Sequence, residues 1–162
     1  MMTKKTKGFT LMEMVVVIGI LSIFVGLGVV AVVSFKERRE VLFNARDLAS
    51  LLKQVQVKAS AVEVPFECDA SGVSGFEVSY SGDEVGLLVT SPGGASCKAE
   101  DEVLVFTDGS EFVTAGSVAF KTPFGSANPV TIEVCNRSIQ YDIEVGENGS
   151  VSEPTKSGSP GC

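Results

Sequence analysis

Between Phe9 and Phe35 the chain carries one charge, the carboxylate of Glu13, and the 22 residues after it, Met14–Phe35, carry none. A carboxylate at membrane depth costs about 2.5–3.5 kcal/mol on insertion scales, so it is not expected there without a task. The bland alternative is a place at the interface, where the side chain snorkels to water near the start of a helix. The second set of reactive side chains is Cys68, Cys97, Cys135 and Cys162. None of them belongs to a C-x-x-C pair, which argues against a zinc knuckle or a thioredoxin-type site. Four cysteines in an oxidising compartment imply two disulfides with three possible connectivities. Sequential pairing, Cys68–Cys97 and Cys135–Cys162, closes the shorter loops and ties down the tail, and each bridge would stabilise by roughly 3–4 kcal/mol on the chain-entropy model.

Other chemistry is excluded by what is missing. The chain has no His, so His-based triads, His general bases and the commonest metal ligand are absent. Acidic pairs and triplets at Asp83-Glu84, Glu100-Asp101-Glu102 and Asp108–Glu111 do not reproduce a calcium loop and read as solvated surface, so neither a metal nor a cofactor is expected. The SPGG stretch at 91–94 lacks the Gly-Lys-Ser/Thr ending of a phosphate loop. Asn136-Arg-Ser and Asn148-Gly-Ser fit the glycosylation pattern and carry little weight alone. A net charge of −7 argues against nucleic acid as a partner.

The elements that must position these residues follow from charge and periodicity. The 162-residue chain is 44% hydrophobic and 20% charged, a composition that fits one folded core. Lys4, Lys5 and Lys7 make a basic tip, while all but four of the 20 acidic residues fall beyond residue 62. As a helix, Met14–Phe35 would span roughly 33 Å, enough for the hydrocarbon core of a bilayer. Its many β-branched residues are poor helix formers in water, but in lipid the backbone must bond to itself and helix wins. The run is too long for a secretory signal peptide and ends in SFKERR rather than a small-x-small cleavage site. Basic residues flank both ends, so the positive-inside rule does not decide orientation. The short basic leader and the distal cysteines favour a cytoplasmic tip and an extracytoplasmic head.

Val41, Ala45, Leu48, Leu52, Val55 and Ala59 continue with 4-3-4-3-4 spacing, widened by Leu42, Ala49 and Leu51. One helix from about Phe9 to Ser60 is expected, and Pro65 bars it from running further. After Val62 the pattern turns to short β-rich runs at 64–68, 76–80, 85–90, 103–106, 111–113, 118–120, 130–135 and 138–145. Asn136-Arg137 is expected to turn a tight hairpin, and the tail EPTKSGSPGC to be loop. The fold class is α+β, a long N-terminal helix packed on a C-terminal antiparallel sheet.

Residues 7–13 read KGFTLME, which resembles the prepilin leader of type IV pilins and pseudopilins. In that family a short basic leader ends in Gly, followed by Phe or Met and then Thr-Leu-x-Glu running into an apolar helix. The resemblance implies a type IV pilin-like fold, with cleavage by prepilin peptidase between Gly8 and Phe9 and N-methylation of Phe9. It also implies a register role for Glu13, pairing with the Phe9 amine of a neighbouring subunit, much as one polar residue sets register in a coiled coil. Met14 is a mild variant of the family pattern, and the Pro that many type IVa pilins carry midway along the helix is missing. The stretch NARDLASLLKQVQVKASA, with FKTPFGSA at 120–127 and a final hairpin, is similar to the GspH/FimT-type minor pseudopilins.

The resemblance divides the chain into a leader, 1–8, a membrane and filament-core helix, 9–35, its amphipathic continuation, 36–60, and a β-rich disulfide-bonded head, 61–162. It implies a non-enzymatic subunit of a type IV pilus or type II secretion pseudopilus. Such a subunit sits in the inner membrane among lipids before assembly, then in a cell-surface or periplasmic filament. Its partners would be prepilin peptidase, the inner-membrane assembly platform and other pilins or pseudopilins. Two alternatives are a DNA-binding minor pilin, against which the acidic head weighs, and a membrane-anchored extracytoplasmic domain.

Overall fold

A computed structural model describes residues 9–62, 72–91, 96–106, 109–137, 139–157 and 162, with the backbone alone at 27–31, 33, 34 and 96–102. The chain divides into two units, Met1–Lys36 and Glu37–Cys162. Helix α1, Leu11–Ala61, has residues in both.

In the first unit α1 is apolar on every side, and each described residue from Leu11 to Gly26 is exposed. The backbone satisfies itself, and the one hydroxyl described there follows suit, Ser22 Oγ donating to the Ile18 carbonyl at 2.8 Å. Among the described residues no helix is long and apolar enough to cross a membrane. Within Met14–Phe35 the described side chains are those of 14–26, 32 and 35, so only part of the run enters that statement.

In the second unit α1 is amphipathic. Val41, Ala45, Leu48, Leu52, Val55 and Ala59 are all buried, with Ala49 beside them, while Leu42 and Leu51 are half-buried at the margin. The helix ends where Val62 turns to positive φ, 53°, and donates its N–H to the Ala59 carbonyl at 3.3 Å.

Nine strands follow: β1 Gly75–Ser81, β2 Glu84–Thr90, β3 Ser96–Val105, β4 Glu111–Phe112, β5 Gly116–Lys121, β6 Ser126–Ala127, β7 Val130–Asn136, β8 Ile139–Val145 and β9 Thr155–Lys156. They form two antiparallel sheets, ordered β3-β2-β1-β5-β6 and β4-β7-β8-β9. The α+β arrangement, a helix packed on antiparallel sheet, is that of type IV pilins. One hydrophobic cluster joins α1 to both sheets, with Phe76 and Phe120 directly opposite each other in one, and Ile132 and Ile143 in the other. Gly116 faces Tyr80 across β1 and β5, where a Cβ would lie 2.6 Å from the phenol oxygen, so a side chain there would have to displace the Tyr80 ring.

Several local expectations change. Asn136 pairs with Ile139, so Asn136 belongs to the strand rather than to the expected Asn136-Arg137 turn. The Asn136 carboxamide oxygen instead accepts the Ile139 N–H at 3.2 Å, which holds Asn136 inside the strand. The tail is not all loop: Thr155 and Lys156 pair with Asp142 and Tyr141. The strand at 103–106 begins earlier, at Ser96, and the one placed at 64–68 lies outside the described residues.

Within the second unit, polar contacts tie α1 to the strands and loops around it. Near its Glu37 end, the Asn136 amide donates to the Glu37 carbonyl at 3.4 Å, and the buried Asn44 amide donates to Ser110 Oγ at 3.1 Å. Further along, Lys53 Nζ meets Glu153 Oε1 at 2.6 Å and the Gln56 amide donates to the Asn148 carbonyl at 3.4 Å.

Candidate functional site

The start of α1 is built by the residues that the sequence singles out. Thr10 precedes the first helical residue, and its hydroxyl accepts the Glu13 N–H at 3.2 Å. The Glu13 carboxylate reaches back to accept the Thr10 N–H at 3.4 Å. These reciprocal bonds are a capping box, in which Thr-x-x-Glu satisfies two amides that a helix N-terminus otherwise leaves orphaned. A carboxylate in the first turn also faces the positive end of the helix dipole. Glu13 therefore has a partner within its own chain before any second copy is present.

The surroundings of this polar pair are apolar and exposed. Phe9, Leu11 and Met12 are 79%, 83% and 72% exposed, and Met14 and Val15 follow in the same state. An apolar helix belongs in a protein core or a membrane, so a single copy leaves this one unfinished.

Gly8 lies outside the described residues, and Phe9 sits just ahead of the capped turn. Thr10 was not singled out in the sequence as a functional residue, although Thr-x-x-Glu before an apolar run is a legible helix-start signal.

The cysteines fall in the second unit. Cys135, buried in β7, is bridged to Cys162 with Cα atoms 6.0 Å apart. Cys97 has its backbone in β3 opposite Val89, and Cys68 lies outside the described residues. Of the two glycosylation-pattern asparagines, Asn136 is buried with its amide engaged, whereas Asn148 is exposed. Among the described residues no group of three or more acidic or cysteine side chains is arranged to hold a metal ion.

The described geometry contains a capped helix start, an apolar helix surface and a disulfide-closed head. Residues 3–33 match the family model described as the prokaryotic N-terminal methylation motif. Neither a curated protein nor a solved structure matches the chain. The match brackets Phe9, Thr10 and Glu13 and runs on through most of the apolar helix. By that motif the start of the chain is similar to the N-termini of type IV pilins and pseudopilins.

Proposed function

We propose that the chain is a structural subunit of a type IV pilus or of a pilus-like secretion filament, with no catalysis of its own. The observation that carries the reading is the methylation motif leading into the Leu11–Gly26 stretch of α1, whose residues are all exposed in one copy. In the membrane, lipid covers that surface; in a filament, the helices of other subunits cover it. Prepilin peptidase hydrolyses the Gly8–Phe9 peptide bond, leaving a carboxylate on Gly8 and an amine on Phe9, which is then N-methylated. The inner-membrane platform then draws the processed subunit from lipid into the filament.

The new ammonium at Phe9 would lie in apolar surroundings at the positive end of α1, where a cation is disfavoured. Glu13 of an adjoining subunit supplies the compensating charge, and their pairing fixes the axial step. The capping box adds a constraint, because the same carboxylate also holds its own Thr10 N–H. Two substitutions separate these duties. Glu13→Gln keeps a capping side chain but not the charge, whereas Glu13→Val removes both. The measurement is the amount of each variant in sheared filaments relative to its membrane pool. The charge role predicts normal abundance and processing with reduced incorporation for both variants. Parent-level incorporation of Glu13→Gln would leave only the cap, and parent-level incorporation of both would overturn the role of Glu13.

A further inference from the structure

The second unit has two dissimilar poles. At one, the turn after β5 (Lys121–Gly125) rests on the far end of α1. Gly125, at positive φ, lies so near Ser60 and Gln56 that a Cβ there would come 2.5 Å from the Ser60 hydroxyl. The turn is closed by the Gly125 N–H on the Lys121 carbonyl at 2.8 Å and tied to its neighbour by Thr122 Oγ1 on the Val73 carbonyl at 2.7 Å. On this fixed turn Phe124 is 83% exposed, the most exposed large apolar side chain described in the unit, and Lys121 is exposed beside it. A rigid exposed aromatic next to a cation has the character of an interface anchor, since little ordering entropy is lost when it docks.

The other pole, about 35 Å away along α1 from Ser60 to Glu37, holds a cavity of about 720 Å³. Buried Phe106 contributes to its lining, and exposed Glu37, Asp83 and Glu111 stand around it with Arg137. A cavity of about 150 Å³ suffices for a benzene ring, so this one has room for a phenyl group and the turn that carries it. Three carboxylates against one guanidinium leave its rim acidic, complementary to Lys121, and Arg137 offers a cation to the face of an incoming ring.

We propose that the Lys121–Gly125 turn of one copy docks in this cavity of a second copy, with Phe124 inserted and Lys121 set against the acidic rim. Because knob and cavity lie at opposite poles, the contact is heterologous and does not close on itself, so repetition stacks the heads in line. It deepens the filament reading and rests on it for the supply of aligned second copies.

The test places a benzophenone-bearing phenylalanine analogue at position 124 of the full-length chain in cells and irradiates both the filament and membrane fractions. The expected product is a dimer whose cross-linked peptide from the second copy contains Asp83, Phe106, Glu111 or Arg137. Lys121→Glu should lower the adduct yield about tenfold, and Glu111→Lys in the same chain should restore it. All these positions are exposed except Phe106, which is not altered, so folding is not at stake. No dimer, a dimer mapped elsewhere, or an adduct to a different protein would overturn the contact. Incorporation into filaments without the adduct refutes this contact and leaves the filament reading standing. The mapped adduct in a chain that never enters filaments does the reverse.

Discussion

The two stretches of α1 treat the same kinds of side chain in opposite ways. Ile18 and Leu21 are 61% and 55% exposed, whereas Leu48 and Leu52 are fully buried. The difference lies in periodicity. In the second unit, apolar residues recur on one face and most of the rest is charged or polar, Phe43 and Val57 being exposed exceptions, so the sheets of the same chain complete the burial of that face. In the first unit the described side chains from Met14 to Gly26 form no polar face, and all of them are exposed in one copy. The helix is covered by its own chain in one stretch and left exposed by it in the other; on the proposed function, lipid or other subunits cover that second stretch.

The largest effect that would sharpen this contrast is truncation inside the head. Leu48→Ala or Leu52→Ala should destabilise the second unit by about 2–5 kcal/mol, whereas Leu21→Ala should leave its unfolding midpoint in detergent unchanged. Equal sensitivity at positions 21 and 48 would break the comparison. Next is the bridge from Cys135 to Cys162, which closes a 27-residue separation. Replacing both by Ser should cost roughly 3–4 kcal/mol on the chain-entropy model, and amide exchange at Thr155 and Lys156 should quicken as the tail is released.

The legibility of the sequence follows the same division. The stripe from Val41 to Ala59 was readable because six positions keep a helical period, and each is buried. The hairpin of β7 and β8 was readable from alternation, but Asn136 was assigned to the turn because it resembles a turn residue, while its side chain serves the strand. Strand β9 was not readable. Thr155 and Lys156 are polar and exposed, and they join β8 through backbone pairing that no side-chain pattern announces. The split into two sheets was equally hidden, since local pattern specifies strands and not their partners. At the helix start, Glu13 was legible as an anomaly, whereas its bond to Thr10 required the Thr-x-x-Glu spacing to be taken as a cap.

Smaller effects probe the helix ends and the surface. Thr10→Ala should cost about 1 kcal/mol of local helix stability, seen as faster amide exchange at Met12 and Glu13, with Thr10→Ser retaining protection. No change in exchange would remove the cap from the account. The smallest effect belongs to Lys53 and Glu153. The hydrogen bond from Lys53, reinforced by its charge, holds the Glu153 carboxyl below the usual carboxylate range. A lowered value means that the pair's contribution is present above the unfolded-state value and is lost as pH falls through the lowered one. In Lys53→Ala the Glu153 midpoint, followed by NMR titration, should rise toward an ordinary carboxylate, with little change in stability at neutral pH because both groups are exposed and screened.

The central claim is that the apolar stretch of α1 is completed by assembly after processing at its start. The most direct measurement is N-terminal mass spectrometry of the chain recovered from sheared filaments. The account predicts a species that begins at Phe9 with a methylated amine and lacks residues 1–8. Filament-borne protein still beginning at Met1 or Met2 would contradict it.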